Sequence, residues 1–336
     1  MPEKNKANIW KRAPVIILLA LLLCTVLTSC FQNADGTTTN IFDLLIVKPF
    51  AFILKTIYQL VHSYGLAIII FTILTKILLL PLTIKSKKGM MEQQRIAPKL
   101  KELENKYKND KQKYQEEMTK LYQKEGISPM GGCLPTLISL PIMLGLYWPI
   151  SQPLTHLMNL TKDQIAEVTA RLGLTTTATH MSEMTVAQAI YENFDKVKDI
   201  SDKIIPMNFD FLGVNLGAIP SFTQFNVLFL LPIISGATAF ALTKLTNWLQ
   251  YKSTGVMPQQ ANGMMTFIGP VMSIWIGFSL PVGLTLYWIT GNLISMLQEI
   301  LLTKYFDKLK LKEEEKIKFG ESAKQNNKTS KGAHKK

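Results

Sequence analysis

Gly65–Leu82 reads GLAIIIFTILTKILLLPL, eighteen residues that are apolar apart from two threonines and one lysine. As a helix at 1.5 Å per residue the run spans roughly 27 Å, close to the hydrocarbon thickness of a bilayer. Lys76 is its twelfth residue. A lysine at the centre of a span costs about 2.5–3.5 kcal/mol, so its presence needs a reason. One reading is snorkelling, with the stem in lipid and the ammonium at the interface. The geometry opposes it. Lys85, Lys87 and Lys88 put the C-terminal end of the run in the cytoplasm, while a helical Cα–Cβ bond tilts toward the N-terminus. Lys76 therefore starts out pointing deeper into the membrane, about 13 Å short of Lys85. The other reading places it in a wet, polar cavity within the protein.

Composition agrees with a membrane class. The 336 residues are 47% hydrophobic, with a mean hydropathy of +0.15, and the net charge of +13 is unevenly spread. Three cysteines (Cys24, Cys30 and Cys133) make no disulfide framework.

Residues 1–29 read as an export signal, in which basic residues precede a short apolar stretch ending in Leu27-Thr28-Ser29-Cys30. That ending has the form of a bacterial lipoprotein cleavage box, with Cys30 lipidated (palmitate) and becoming the mature N-terminus. An uncleaved signal anchor is the alternative, and either way residue 31 emerges outside. The outer segment 30–63 contains Ile41–His62, read as an amphipathic interfacial helix because Lys48, Pro49 and Lys55 interrupt it. The first span covers 64–84, with Pro81 ending or kinking it.

Residues 85–130 hold 12 Lys/Arg and 7 Asp/Glu. Ile96, Leu100, Leu103 and Tyr107, then Tyr114, Met118 and Leu121, recur at helical spacing around a turn at Asn109-Asp110. This predicts a cytoplasmic helical hairpin. A second span (131–152) and an acidic extracellular region (153–222, 5 Lys/Arg against 8 Asp/Glu) follow. Thr161…Gln164 and Thr185…Gln188 have the form of capping boxes opening two short helices. Residues 223–303 supply spans three to five (Phe225–Leu249, Met264–Leu280 and Val282–Leu302), with a polar loop at Gln250–Asn262. The basic tail, 304–336, has 11 lysines against 5 acids, and Ser322–Lys336 is expected to be disordered. The fold class is thus an all-α polytopic membrane protein with five mature spans, N-terminus outside and C-terminus in the cytoplasm. The positive-inside rule supports this topology independently of the count.

Polar residues mark the spans. Thr285, Trp288, Asn292, Ser295 and Glu299 share one stripe of the last, and Thr72, Lys76 and Thr83 lie on the first. Such residues often only join membrane helices, but beside a buried lysine they suggest a polar concavity. No chemistry of an enzyme accompanies them. His62, His156 and His180 fall outside the membrane and His334 in the tail, so no span serine has a base. No phosphate loop or metal-ligand cluster is present, and no cofactor is expected. A solute transporter binding an anion at Lys76 is a rival, although no internal repeat is visible.

The runs YGLAIIIFTILTKILLLPLTIKSKK (64–88) and APKLKELENKYKNDKQKYQEEMTKLYQKEGISPMGGCLPTLISLPIMLGLY (97–147) resemble the YidC membrane protein insertases. These are relatives of the mitochondrial Oxa and chloroplast Albino proteins. NFDFLGVNL (208–216) and LPVGLTLYWITGNLISMLQ (280–298) extend the likeness over nearly the whole mature chain. The lipoprotein-like leader and small outer region are similar to the Gram-positive branch. The resemblance implies five helices around a hydrophilic groove open to the cytoplasm and to lipid. It implies that Lys76, where the family usually has arginine, attracts acidic residues of nascent membrane proteins. Trp288 matches an aromatic lining the groove, and Thr72, Ser139, Thr243 and Asn292 are the other groove residues expected. Ser139 and the vicinity of Thr243 stand where the family often carries glutamine, so this groove is expected to be poorer in hydrogen-bonding groups. The hairpin would recruit clients, the tail would assist ribosome docking, and the Sec translocon is a possible partner. The lipid bilayer completes the partners, and no DNA is expected.

Overall fold

A computed structural model of the chain describes residues 42–127, 134–174, 183–223, 225–255 and 265–333. The leader with Cys30, and also Cys133, lie outside the described residues. A π-helical turn, Asp43–Val47, leads into α1 (Lys48–Val61), which ends at His62 in the left-handed region. Pro49 does not interrupt the helical run: it follows the π-helical turn, in which Lys48 N–H bonds Asp43 O, and the helix continues to Val61. Ala51, Leu54, Ile57 and Tyr58 are buried, yet the opposite side is also apolar, with Phe52 and Leu60 exposed. Asp43–Val61 (19 residues, hydropathy 1.6) is therefore long and apolar enough to cross a membrane, which the expected amphipathic pattern did not anticipate.

Helix α2 (Tyr64–Leu78) carries the quoted run. The chain turns at Leu79 and resumes as α3 (Leu80–Arg95), bent by 57°. Pro81, expected to end or kink the span, sits in the first turn of α3 just after the bend. Helices α4 (Ala97–Lys106) and α5 (Lys111–Glu125) pair as a hairpin. Asp110 caps α5 by accepting from the Lys113 N–H at 2.9 Å, and Gly126, at φ +68°, ends it. Ile96, Leu100 and Ile127 are buried in the seam with Met118, Leu121 and Tyr122 packed on them. Leu103, Tyr107 and Tyr114 are only half-buried at its far end.

Helix α6 (Leu134–Ser151) holds Pro141 and Pro149, and a four-residue helix, α7 (Pro153–His156), follows. Thr161 opens α8 (Lys162–Arg171) with both bonds of the expected capping box. Thr185 caps nothing, because α9 (Glu183–Glu192) already includes it in its first turn. The short strands β1 (Asp210–Phe211) and β2 (Val214–Asn215) pair antiparallel and are the only strands among the described residues.

Helix α10 (Val227–Thr254) runs five residues into the expected polar loop, since nothing breaks it before Gly255 and Gln250 is buried. Helices α11 (Met265–Ser279) and α12 (Val282–Ala333) complete the chain. The tail continues α12 instead of becoming disordered after Ser322. It contains no proline and is rich in the strong helix formers Lys and Glu.

By length and composition Asp43–Val61, Val227–Ser253 and the bent pair α2–α3 each suffice to cross a membrane, and Thr266–Ser279 is a shorter apolar helix. One core joins α1, α2, α6 and the start of α12, with only Leu228 and Leu231 of α10 packed against it. Tyr64, Ile68 and Phe71 of α2 are fully buried against Leu146 and Ile150 of α6, Phe209 and Leu216 around the β-hairpin, and Val282 and Leu284 of α12. Backbone bonds from Val282 N–H to Ala218 O (2.9 Å) and Gly283 N–H to Leu216 O (2.8 Å) fasten that end. A side chain at Gly65 would strike the Phe211 ring, so the hairpin sits directly on the start of α2.

Candidate functional site

The packed core stops partway along α2. After Thr72, which is fully buried, Ile73, Leu74, Ile77 and Leu78 are all exposed. Lys76 lies in this stretch, half-buried, on the turn before the bend. Its ammonium donates to Ser295 Oγ of α12 at 2.7 Å. The backbone carbonyl of the same residue accepts from Gln298 Nε2 at 3.2 Å. The lysine stem also passes close to Gly291, one turn above Ser295, where a Cβ would lie in ordinary contact at 3.8 Å from Lys76 Cε. Among the described residues no carboxylate is within 4 Å of the ammonium. Lys76 is thus a cation whose protein acceptor is a neutral hydroxyl, beside a surface that is not closed.

Beyond the bend, Lys87 of α3 forms an ion pair with Glu299 of α12, and the side chains are only 6% and 13% exposed. Gln298 and Glu299 are consecutive, so α12 grips the broken helix on both sides of its break. The α12 stripe read from the sequence therefore divides. Ser295 and Glu299 face α2 and α3, whereas Asn292 turns to α10. Asn292 Nδ2 donates to Thr238 Oγ1 at 3.1 Å, next to a buried Ser235–Ser273 hydroxyl pair at 2.7 Å between α10 and α11. Thr285, on the same stripe, is buried with no hydrogen-bond partner for its hydroxyl among the described residues.

Other expected groove residues contribute less. The hydroxyls of Thr72 and Thr243 are bonded to carbonyls of their own helices, Ile68 O at 2.7 Å and Ala239 O at 2.9 Å. Trp288 is half-buried on α12. Ser139 falls on α6, but its side chain lies outside the described residues. Gln298 was missed. Placed beside Glu299 near the end of the last span, it has the sequence signature of an interfacial residue. Its only legible clue was the i+3 spacing from Ser295.

Long apolar helices packed beside a lysine that has no carboxylate within 4 Å among the described residues define a helical membrane protein. Residues 56–310 match the family model described as 60Kd inner membrane protein, and the chain belongs to that family. A "Membrane protein insertase YidC" of Fusobacterium nucleatum is 31% identical over 265 residues, covering 79% of this chain and 97% of the relative. A "Membrane protein insertase YidC 1" of Bacillus anthracis is 30% identical over 308 residues, covering 88% and 95%. The chain spans only 36% of a longer relative of the same name from Cellvibrio japonicus, at 30% identity. Among solved structures, an active YidC insertase crystal structure with the first transmembrane domain resolved is similar over 81% of this chain and 49% of that one. Its identity is 22% and its TM-score 0.45.

Proposed function

We propose that this chain inserts newly made membrane proteins into a bacterial cell membrane, using the space beside Lys76 as a hydrophilic groove. One observation carries the proposal. The α2 lysine has no carboxylate counter-ion within 4 Å among the described residues and lies where the core has ended and the helix surface is exposed. An acidic residue of a client's translocated tail supplies the missing charge. Groove water thins the apolar barrier that the tail must cross, and burial of the client's apolar span in lipid drives the step without a nucleotide. Names of the relatives support the reading.

In this proposal five spans remain after the signal is removed at Cys30. The core-packed end of α2 faces outward, and the α4–α5 hairpin and basic end of α12 face the cytoplasm. Charge distribution favours that orientation. The hairpin receives clients, the tail meets the ribosome, and the chain works alone or beside the Sec translocon. No catalytic step, metal or cofactor enters. The test is purified protein in liposomes given a short single-span client without ATP. Insertion is expected, and specific solute flux with no insertion would instead favour a transporter binding its substrate at Lys76.

A further inference from the structure

Helix α10 leaves one side uncovered. Leu230, Ile233 and Ala241 are exposed along it, and the same side continues to Lys244, Trp248 and Lys252, also exposed. The spacing is helical throughout, so a single stripe begins aliphatic and ends aromatic and basic. Lys244 stands seventeen residues after Val227, about 26 Å along the axis, which is still within a hydrocarbon layer of about 30 Å.

Neither lysine reaches away from the apolar part of the helix. Lys244 Nζ lies 5.3 Å from the centroid of the Phe240 ring, one turn back toward the helix start. Lys252 Nζ lies 5.4 Å from the centroid of the Trp248 ring in the same direction. Ring faces attract a cation but carry no net charge. Among the described residues no carboxylate stands within 4 Å of either ammonium. A cation drawn below the interface on a lipid-facing stripe, without a protein counter-ion, finds that counter-ion in the lipid.

We propose that Lys252 binds the phosphate of an anionic phospholipid, with the Trp248 indole beside its ammonium at the glycerol level and Lys244, a turn deeper than the indole, adding to the attraction. The site is separate from Lys76, which faces α12, and does not rest on the insertase reading. The stripe's continuity with the exposed aliphatic face of α10 is what selects lipid as the occupant.

Quenching of Trp248 by brominated lipid tests this in full-length protein reconstituted in phosphatidylcholine vesicles. The Trp248 signal is taken as wild type minus Trp248→Phe. At equal low mole fraction, brominated phosphatidylglycerol is expected to quench about fivefold more strongly than brominated phosphatidylcholine, the preference that one lysine at an anionic surface supplies. Lys244→Gln with Lys252→Gln should bring the two lipids to parity, and the paired Arg variant should keep the preference. Equal quenching in the wild type, or a preference that survives the Gln pair, overturns the proposal. So does relief of the preference by inorganic phosphate, which marks a soluble-anion site. If the Gln pair does not reconstitute, the wild-type comparison and the Arg pair decide.

Discussion

Replacing Glu299 with glutamine strands Lys87. With 6% of the lysine side chain exposed, its ammonium cannot recover the lost interaction from water without local opening. Removing one partner of a buried ion pair costs about 3–5 kcal/mol, whereas replacing both with apolar residues of similar volume is often neutral. In a chain of this size each kcal/mol moves Tm by about 2 °C, so Glu299→Gln should lower it by about 6–10 °C. Lys87→Met combined with Glu299→Leu should recover most of that loss. The readout is thermal unfolding in detergent at one fixed scan rate, because unfolding of such proteins is often irreversible. Hydrogen exchange at residues 76–80 adds a local test. The pair lies beyond the bend that Gln298 holds from the other side, so those amides should exchange faster in Glu299→Gln. A Tm within about 2 °C of wild type, with the double variant no better than the single, would refute a desolvated clasp between α3 and α12.

Three further outcomes are expected. Single cysteines at Lys106, Gly255 and Lys328 should react only with membrane-permeant reagents and one at Asp195 with impermeant ones; the reverse pattern at Lys106 would invert the proposed topology. Truncation after Asp307 should reduce ribosome co-sedimentation by an amount that shrinks as salt rises, as lysine–phosphate contacts require, and salt-insensitive binding would exclude that role. Burial raises the carboxyl pKa of Glu183, against the opposing donations of the Thr155 hydroxyl (2.5 Å) and N–H (2.9 Å). Because the folded value is raised, its contribution to stability is complete below the ordinary value of 4.5 and is lost as pH rises through the folded value. Amides of α9, corrected for intrinsic rates, should therefore be better protected at pH 5 than at pH 8, and Glu183→Gln should flatten that difference. Falling protection toward pH 5 would contradict the assignment.

What was legible in the sequence follows from how local each signal is. The hairpin could be read because Ile96, Leu100, Met118 and Leu121 repeat at helical spacing and Asp110 is a local cap. Thr161 was readable for the same reason, whereas Thr185 failed because the helix begins before it at Glu183, whose carboxylate meets Thr155, 28 residues away. Lys76 announced itself as the lone charge in its run. That Ser295 would meet it and Asn292 would not depended on how α12 is rotated between α2 and α10, which no single helix encodes. Gln298 escaped because its partner is a backbone carbonyl beside a break, and a carbonyl leaves no mark in a sequence. Pro81 was legible as the kink, since a 57° bend falls immediately before it, whereas Pro49 does not break its helix, which runs on from Asp43 to Val61.

The central claim is that the Lys76 ammonium draws acidic client residues into the groove. It is tested most directly by complementation of a depletion strain with Lys76→Arg, Lys76→Ala, Lys76→Leu and Lys76→Glu. Each is scored on one client with an acidic translocated tail and one with a short neutral tail. At an effective dielectric near 20, a charge pair at about 4 Å contributes on the order of 4 kcal/mol before desolvation. The effect should therefore be large for the first client and small for the second. Arg is predicted to support both, Glu to fail, and Ala and Leu to fail only with the acidic tail. Normal insertion of the acidic-tailed client by both Ala and Leu would contradict the account, leaving Lys76 as a snorkelling residue with no part in the work.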